Sequence, residues 1–361
     1  MDPRSLGAKC DECPLNNRKP VSSAFGAFPK AIVLGEGPNN MEEIFNEPLH
    51  PQGESGKIIT KLFEGVGIMR SRLVILNAFS CRANFNEKED VKIAATECCK
   101  PRLINELRYV IQRRPLPILA LGKYASVALT NNKEIMNHMG PVTKGKIDNL
   151  EFEYLSTFHP NFIAKQPSYS PVMLQHFYRY IDYLNNKLPP WDWKDELYLP
   201  DKNMLDVLKY IKAHPNEQIG TDSETDGLLD PITNRHKKEF GKLKLLNVGF
   251  STTDISVSVP WNIVENDPEF AEIKALTIDI VANHPNQVYQ NADYDLPVWY
   301  KILGIKPAMP KHDTLIASRI LNPEWKAELG FRCAFEFHVE RWKTIFKMLG
   351  DVAGKNMVKH L

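Results

Sequence analysis

The chain has 361 residues, 43% of them apolar and 25% charged, with a formal net charge of +1 at pH 7. At roughly 100–200 residues per domain this length fits two domains, each able to bury a core without disulfides. The composition excludes disordered and fibrous classes, and no apolar run of about 18 residues marks a membrane span, so no membrane partner is expected. Taken in chain order, AIVLGEG (31–37) reads as a buried strand entering a Gly-rich turn. GKIITKLFEGVG (56–67) has helical apolar spacing, and RLVILNAF (72–79) is a second strand. TECCKPRLINELRYVIQRR (96–114) predicts an amphipathic helix, LPILALG (116–122) a third strand and KYASVALTN a helix. FEYLSTFHP (152–160) is a fourth strand ending at His-Pro, and SPVMLQHFYRYIDYLNNK (170–187) closes the series as a helix. Such alternation predicts an α/β domain with a parallel sheet over residues 1–186.

KLPPWDWKDELYLPDKN carries three prolines and no periodicity, so 187–203 is read as a linker. Beyond it, 204–361 predicts a second domain. MLDVLKYIKAH reads as a helix and EQIGTDSETDG (217–227) as a strand. KLKLLNVGFST and DISVSVPW both alternate across a short turn, as antiparallel strands do, and QVYQN (287–291) is a further short strand. A partly antiparallel sheet with mixed helices follows.

Charge divides unevenly, +5 over residues 1–190 and −4 over 191–361. A basic half beside an acidic one fits a phosphate-contacting surface next to a carboxylate-rich site; ordinary scatter gives the same figures. The polar start, MDPRSLGAKCDEC, has no apolar signal core and predicts a cytoplasmic protein. Five of six cysteines (Cys10, Cys13, Cys81, Cys98, Cys99) fall in the first 99 residues. In a reducing compartment such clustering favours metal binding over disulfides, with buried apolar cysteines as the alternative. The Cys10-x-x-Cys13 pair can hold one metal or two corners of one cluster.

The ordered set GEGP (35–38), GESGKII (53–59), LNAFSCR (76–82), CKPRL (99–103), LPILALG (116–122) and TFHP (157–160) resembles a family 4 uracil-DNA glycosylase over residues 8–186. The resemblance implies a glycosylase-like parallel-sheet sandwich. It also implies a [4Fe-4S] cluster on Cys10, Cys13, Cys81 and Cys99, with Cys98 as the stand-in for Cys99, ordering loops near DNA. The implied partner is uracil-containing DNA, single- or double-stranded. Cleaving a base from deoxyribose passes through a cationic sugar and an anionic base, so it needs electrostatic stabilisers around an extruded nucleotide. By the resemblance Glu36 positions water, and Gly35 and Gly37 let backbone approach the base. Asn77 reads the Watson–Crick edge of uracil, and His159 donates to the oxygen that gains charge. The other readings are a solvated Glu36, a turn-capping Asn77 and a satisfied core His159.

Two departures stand out. The family's stacking Phe falls in EPLHPQGESG, where Leu49 takes its place, so stacking worth roughly 1–3 kcal/mol is absent from that position. The family's GxPG turn is Gly-Pro-Asn-Asn here. GESGKI does not complete a nucleotide phosphate loop, since Pro51 and Ile58 occupy its required Gly and Ser/Thr positions. A Gly-rich loop around Ser55 touching DNA phosphate or substrate is expected instead.

In GTDSETDGL, Asp222 and Glu224 share one strand face, an arrangement that holds Mg²⁺ or Mn²⁺. With Gln290-Asn291-Ala-Asp-Tyr294-Asp295 and His312-Asp313-Thr314, this resembles the proofreading 3′–5′ exonuclease domain of family A DNA polymerases. The resemblance implies a ribonuclease H-like fold with Asp222, Glu224 and Asp295 as ligands of a partial divalent-metal site. No tyrosine follows Tyr300, so the family's last Tyr-x-x-x-Asp motif is missing, and the tail from Gly330 no longer resembles it. The expectation is an incomplete exonuclease domain, inactive by itself, that a polymerase chain could complete. The whole resembles the front of a phage-type polymerase working in a bacterial cytoplasm.

Overall fold

The computed structural model describes residues 2–84, 86–132, 135, 139–188, 202–226 and 244–337. Most of the expected linker and the tail beyond residue 337 lie outside the described residues. The chain divides into two compact units. One joins the described residues up to 188 to those from Gly330 onward, and the other ends at Leu329. Among the described residues no helix is long and apolar enough to cross a membrane.

The first unit begins with β1 (Ala24–Phe25), β2 (Ala31–Gly35), α1 (Asn40–Phe45), α2 (Glu54–Gly65), β3 (Leu73–Asn77) and α3 (Glu89–Ile111). It continues with β4 (Ile118–Leu121), α4 (Lys123–Thr130), β5 (Val142–Ile147), β6 (Leu150–Thr157), α5 (Pro160–Lys165) and α6 (Ser170–Leu184). Sheet order is β1-β3-β2-β4-β6-β5. The four central strands are parallel, and β1 and β5 pair antiparallel at the edges. Every residue of β2, β3 and β4 is buried, as expected when helices cover both faces of a parallel sheet. On one face Ile32, Leu34 and Leu76 pack with Leu103 and Leu107 of α3. On the other, Val33 and Ile75 pack with Phe63 of α2 and Phe177 and Tyr180 of α6. Parallel pairing aligns Gly35 with Asn77 and Leu121 with Thr157, so β3, β2, β4 and β6 end at one edge of the sheet.

Two elements differ from expectation. The helix expected from Thr96 starts at Glu89, where Glu89 and Asp90 supply negative charge to the first turn, and it carries Pro101 in its interior. Strand β5 escapes a periodicity reading because its middle, Thr-Lys-Gly-Lys, is polar on an exposed edge. Its partner β6 fixes it through six paired residues.

The second unit holds α7 (Lys202–Ala213), β7 (Ile219–Thr225), β8 (Leu245–Ser251), β9 (Ser256–Pro260), α8 (Trp261–Val264) and α9 (Ala271–Asn283). After these come β10 (Gln287–Tyr289), α10 (Ala292–Ile302), β11 (His312–Asp313) and α11 (Thr314–Leu321). Its sheet runs β11-β10-β7-β8-β9, with β7, β8 and β9 antiparallel and β10 and β11 parallel to β7. Val248, Phe250, Trp261 and Trp299 centre its core.

The last described helix, α12 (Leu329–Glu336), belongs from Gly330 onward to the first unit, although the sequence places the tail in the second domain. Buried Arg179 of α6 explains the return. Its guanidinium donates to the carbonyls of Gly140 (2.9 Å), Ala334 (2.7 Å) and Phe335 (2.7 Å). Burial pushes Arg179 down to about 10, a cost that these three acceptors offset.

Candidate active site

The shared edge of the first sheet gathers most of the expected site. Glu36 leaves β2, Asn77 ends β3, Gly122 follows β4, and His159 follows β6. Gly122 has φ 90° and ψ −177°, a region open essentially to glycine alone. A Cβ there would lie 2.4 Å from Glu36 Oε1 and 2.8 Å from His159 Cβ. The Glu36 carboxylate and the His159 Cβ therefore both pack against this glycine, close enough for the imidazole to feel the Glu36 charge. Glu36 Oε1 accepts the Tyr124 backbone N–H at 3.2 Å, which fixes one oxygen.

His159 is the N-cap of α5, with Pro160 as first helical residue. Its Nδ1 accepts the Asn161 N–H at 3.2 Å. A neutral imidazole that accepts at Nδ1 carries its proton on Nε2, so the ring offers one donor. Burial pushes the His159 pKa down, and the nearby Glu36 carboxylate opposes that shift. The ring is thus held neutral near pH 7.

Asn77 is 5% exposed. Its Nδ2 donates to Glu42 Oε2 at 3.1 Å, while its Oδ1 is buried without a hydrogen-bond partner among the described residues. Gly35 makes room for that oxygen, since a Cβ at 35 would stand 2.5 Å from it. A Cβ at Gly37 would strike the Phe79 ring at 2.1 Å, so this glycine serves ring packing. Ser55 is buried in the first turn of α2. Leu49 is 1% exposed, has φ 47°, and joins the core cluster of Ile59 and Phe63. The structure thus gives Leu49 to the core.

Three residues that the sequence analysis passed over support these groups. Glu42 holds Asn77, and Gly122 separates Glu36 from His159. Arg102 of α3, itself paired with Glu106 at 2.6 Å, donates to the carbonyls of Asn77 (2.5 Å) and Ala78 (3.3 Å). The signal for Arg102 was its place three residues after Cys99, which turns it onto the same helix face.

Cys10, Cys13, Cys81, Cys98 and Cys99 line one pocket together with Arg4 and Arg18, and all are free thiols. Burial pushes Cys81 up to about 12, and its thiol is further raised by Cys99, Cys13 and Cys10. Cys98, raised to about 11 by burial, feels Cys13 and Cys99. Cys81 thus feels Cys99, Cys13 and Cys10, and Cys98 is hydrogen-bonded to Cys13 in the same pocket. Among the described residues no three His, Cys, Asp or Glu side chains are drawn close enough to hold a single metal ion.

In the second unit, Asp222 and Glu224 lie on the exposed face of β7 and Ser223 on its buried face. Asp295, 1% exposed, accepts from the Ser223 N–H (2.9 Å) and hydroxyl (2.5 Å). Burial pushes its carboxyl up to about 7, with Asp222 acting in the same direction. The three expected ligands are not brought together as a metal site, because Asp295 is engaged by the residue between the other two. Asp313 accepts the N–H groups of Asn291, Ala292, Leu315 and Ile316, a joint that ties β10 to α11.

Residues 23–184 match the family model of the Uracil DNA glycosylase superfamily. The chain is also similar to a type-4 uracil-DNA glycosylase of Archaeoglobus fulgidus. The two are 25% identical over 165 residues, which cover 44% of this chain and 79% of that protein. That match lies within the first unit.

Proposed function

We propose that the first unit, as a uracil DNA glycosylase superfamily domain, hydrolyses the N-glycosidic bond of deoxyuridine in DNA and leaves an abasic site. The observation that carries the reading is the packing of Glu36 and His159 against Gly122, on the sheet edge where β3 also ends in Asn77, whose buried oxygen has no partner among the described residues. The extruded base would meet Asn77 along its Watson–Crick edge. As the bond from C1′ to the base breaks, the Glu36 carboxylate stabilises the cationic sugar and orients a water. Water oxygen joins C1′, and its proton is taken up as the base leaves. His159 Nε2–H donates to the base oxygen that gains negative charge, and a neutral donor there adds no competing proton equilibrium. The motifs that form the site place no lysine as a nucleophile, and the reaction proposed here ends at the abasic site without strand cutting.

The cysteine pocket fits the [4Fe-4S] cluster that the family resemblance implies. A four-iron cluster spreads its thiolates wider than a single ion does, and Cys10, Cys13, Cys81 and Cys99 influence one another across one pocket. These four would hold it, and it would supply a cross-link of the N-terminal segment to α3. Arg102 ties the same helix to the end of β3, so ordering α3 steadies Asn77.

The strand order of the second unit, three antiparallel strands followed by two parallel to the first, supports a ribonuclease H-like, exonuclease-derived domain. Asp222, Glu224 and Asp295 do not fit Mg²⁺ or Mn²⁺ as they stand, and no exonuclease step is derived from them. A polymerase chain remains the partner suggested by the motifs.

Withdrawal of Leu49 into the core favours a second reading, a tether that grips DNA without excising a base. A labelled oligonucleotide with one deoxyuridine separates the two. Alkali-sensitive product lost in Glu36→Ala and His159→Ala supports the glycosylase, and binding without product supports the tether.

A further inference from the structure

Helix α12 joins the first unit from far along the chain, and the residues that receive it are specialised for the purpose. The last carbonyls of a helix find no partner within it. Buried Arg179 of α6 caps two of them, donating to Ala334 at 2.7 Å and Phe335 at 2.7 Å, and sets its positive charge at the negative end of the helix. The same guanidinium donates to the Gly140 carbonyl at 2.9 Å. Gly140 has φ 111°, and a Cβ there would stand 2.8 Å from the Ala334 carbonyl oxygen and 3.2 Å from His176 Nε2. Glycine at this position therefore admits both the backbone conformation and the close approach of α12. Phe331 and Ala334, each 2% exposed, fill the seat.

From this seat α12 reaches the loop of His159 along two lines. On the first, the Phe335 ring lies 6.5 Å from that of His176, and His176 Nδ1 bonds the Thr157 hydroxyl at 3.1 Å. Thr157 ends β6, and its carbonyl accepts the N–H of Gly122 at 2.8 Å, the glycine against which Glu36 and His159 pack. On the second, Arg332 lies near enough to Tyr169 for the two to interact electrostatically. Tyr169 meets Phe158 edge-on at 5.0 Å and Phe162 at 5.7 Å, and those two rings stack at 4.7 Å. Between Phe158 and Phe162 in the chain stand His159 and the Asn161 N–H that its Nδ1 accepts. Helix α5 has only six residues, too few to be stable by itself, so packing must hold its N-cap in place.

We propose that α12 is a clamp that positions His159, anchored by Arg179, so that a competent site needs the returning helix as well as residues 23–184. The inference rests on the glycosylase reading of the same site. With α12 docked, the Asn161 N–H keeps the His159 proton on Nε2, where a donor meets the departing base. With α12 released, the Phe158–Phe162–Tyr169 cluster loses a wall and α5 frays. His159 Nδ1 then loses its donor, the ring samples both tautomers, and Nε2–H is present only part of the time.

The test uses the full chain. Phe331→Asp puts a charge into an apolar seat and should release α12, whereas Phe331→Leu keeps the seat apolar. Release is read at Cys333, a half-buried thiol on the same helix, by mass-spectrometric mapping of maleimide uptake. Labelling at Cys333 should quicken in Phe331→Asp and stay slow in Phe331→Leu. Single-turnover excision from a single-deoxyuridine oligonucleotide should fall at least about tenfold in Phe331→Asp, with the Kd for that DNA held within about threefold. Phe331→Leu should excise at close to the native rate. Near pH 7 the ¹⁵N signals of the His159 ring should show a single tautomer, protonated at Nε2, in the native protein and a mixture in Phe331→Asp. Lower stability alone does not change the tautomer of a folded protein. A folded Phe331→Asp protein with the native rate and one tautomer overturns the proposal. Unchanged Cys333 labelling overturns it as well, because the helix then does not dock through Phe331. If Phe331→Asp does not fold, Phe335→Ala, which trims only the ring beside His176, should move the rate and the tautomer in the same directions by less; no change in either overturns the proposal. Absence of excision by the native protein, with the tautomer still altered in Phe331→Asp, refutes the glycosylase reading and leaves the clamp supported.

Discussion

Replacing Gly122 with alanine adds one methyl group where Glu36 and His159 both pack. The new carbon would stand 2.4 Å from Glu36 Oε1 and 2.8 Å from His159 Cβ. Ordinary carbon contacts lie near 3.5–4.0 Å, so one or both groups must retreat by about 1 Å. Displacement of that size in a catalytic constellation costs roughly 10²-fold in rate. The backbone adds its own cost, since φ 90° with ψ −177° is strained for any residue with a Cβ, by about 1–3 kcal/mol. The assay is single-turnover excision from a single-deoxyuridine oligonucleotide, with thermal melting alongside. We expect kcat/KM to fall about 100-fold in a protein that remains folded at the assay temperature. A folded Gly122→Ala protein with a rate within about threefold of the native one would refute the role given to the packing of Glu36 and His159 against this glycine.

Three further outcomes follow from the same structure. Anaerobically purified protein should carry about four irons per chain with visible absorption; Cys81→Ser should lose both, and Cys98→Ser should keep them. His176 is 1% exposed, bonded to Thr157 at 3.1 Å, and pushed down to about 3 by burial and then by Arg179. Its folded pKa lies below its unfolded one, so the unfolded chain binds the extra proton. Stability should hold above about pH 6.5 and fall toward pH 3, by up to roughly 4 kcal/mol from this group, as read by urea unfolding across that range. Arg179→Met removes the donor that three carbonyls share, two of them on α12, and should cost about 2–4 kcal/mol in the same unfolding assay.

The central strands were legible because a doubly covered parallel sheet demands unbroken apolar runs, and AIVLG, LVILN and ILAL are such runs. Glu36 and Asn77 drew notice as candidates because each stands at the end of such a run, and His159 because it opens the His-Pro step after β6. The lysines of edge strand β5 hide it, and the negatively charged first turn of α3 lies outside its apolar stripe. Glu42 read as one more acid in Met-Glu-Glu-Ile, since nothing local reveals that its partner stands 35 positions away. Gly122 is only the last letter of LPILALG in the sequence, because its neighbours, 86 residues before and 37 after it, meet it only in space. The return of α12 depends on Arg179, a pairing over 155 positions that no periodicity encodes. For Asp295 the motif named the residue, but the hydrogen bonds of Ser223 decide where its carboxylate points.

The most direct test of the account is mass-spectrometric detection of free uracil after incubating the full chain, in EDTA, with a DNA strand holding one deoxyuridine. Chelation silences any metal-dependent nuclease but leaves untouched the hydrolysis proposed for Glu36 and His159. The account predicts uracil and abasic sites in equal amounts, with the strand otherwise intact, and neither product from Glu36→Ala. Intact deoxyuridine after prolonged incubation with iron-replete protein would contradict it.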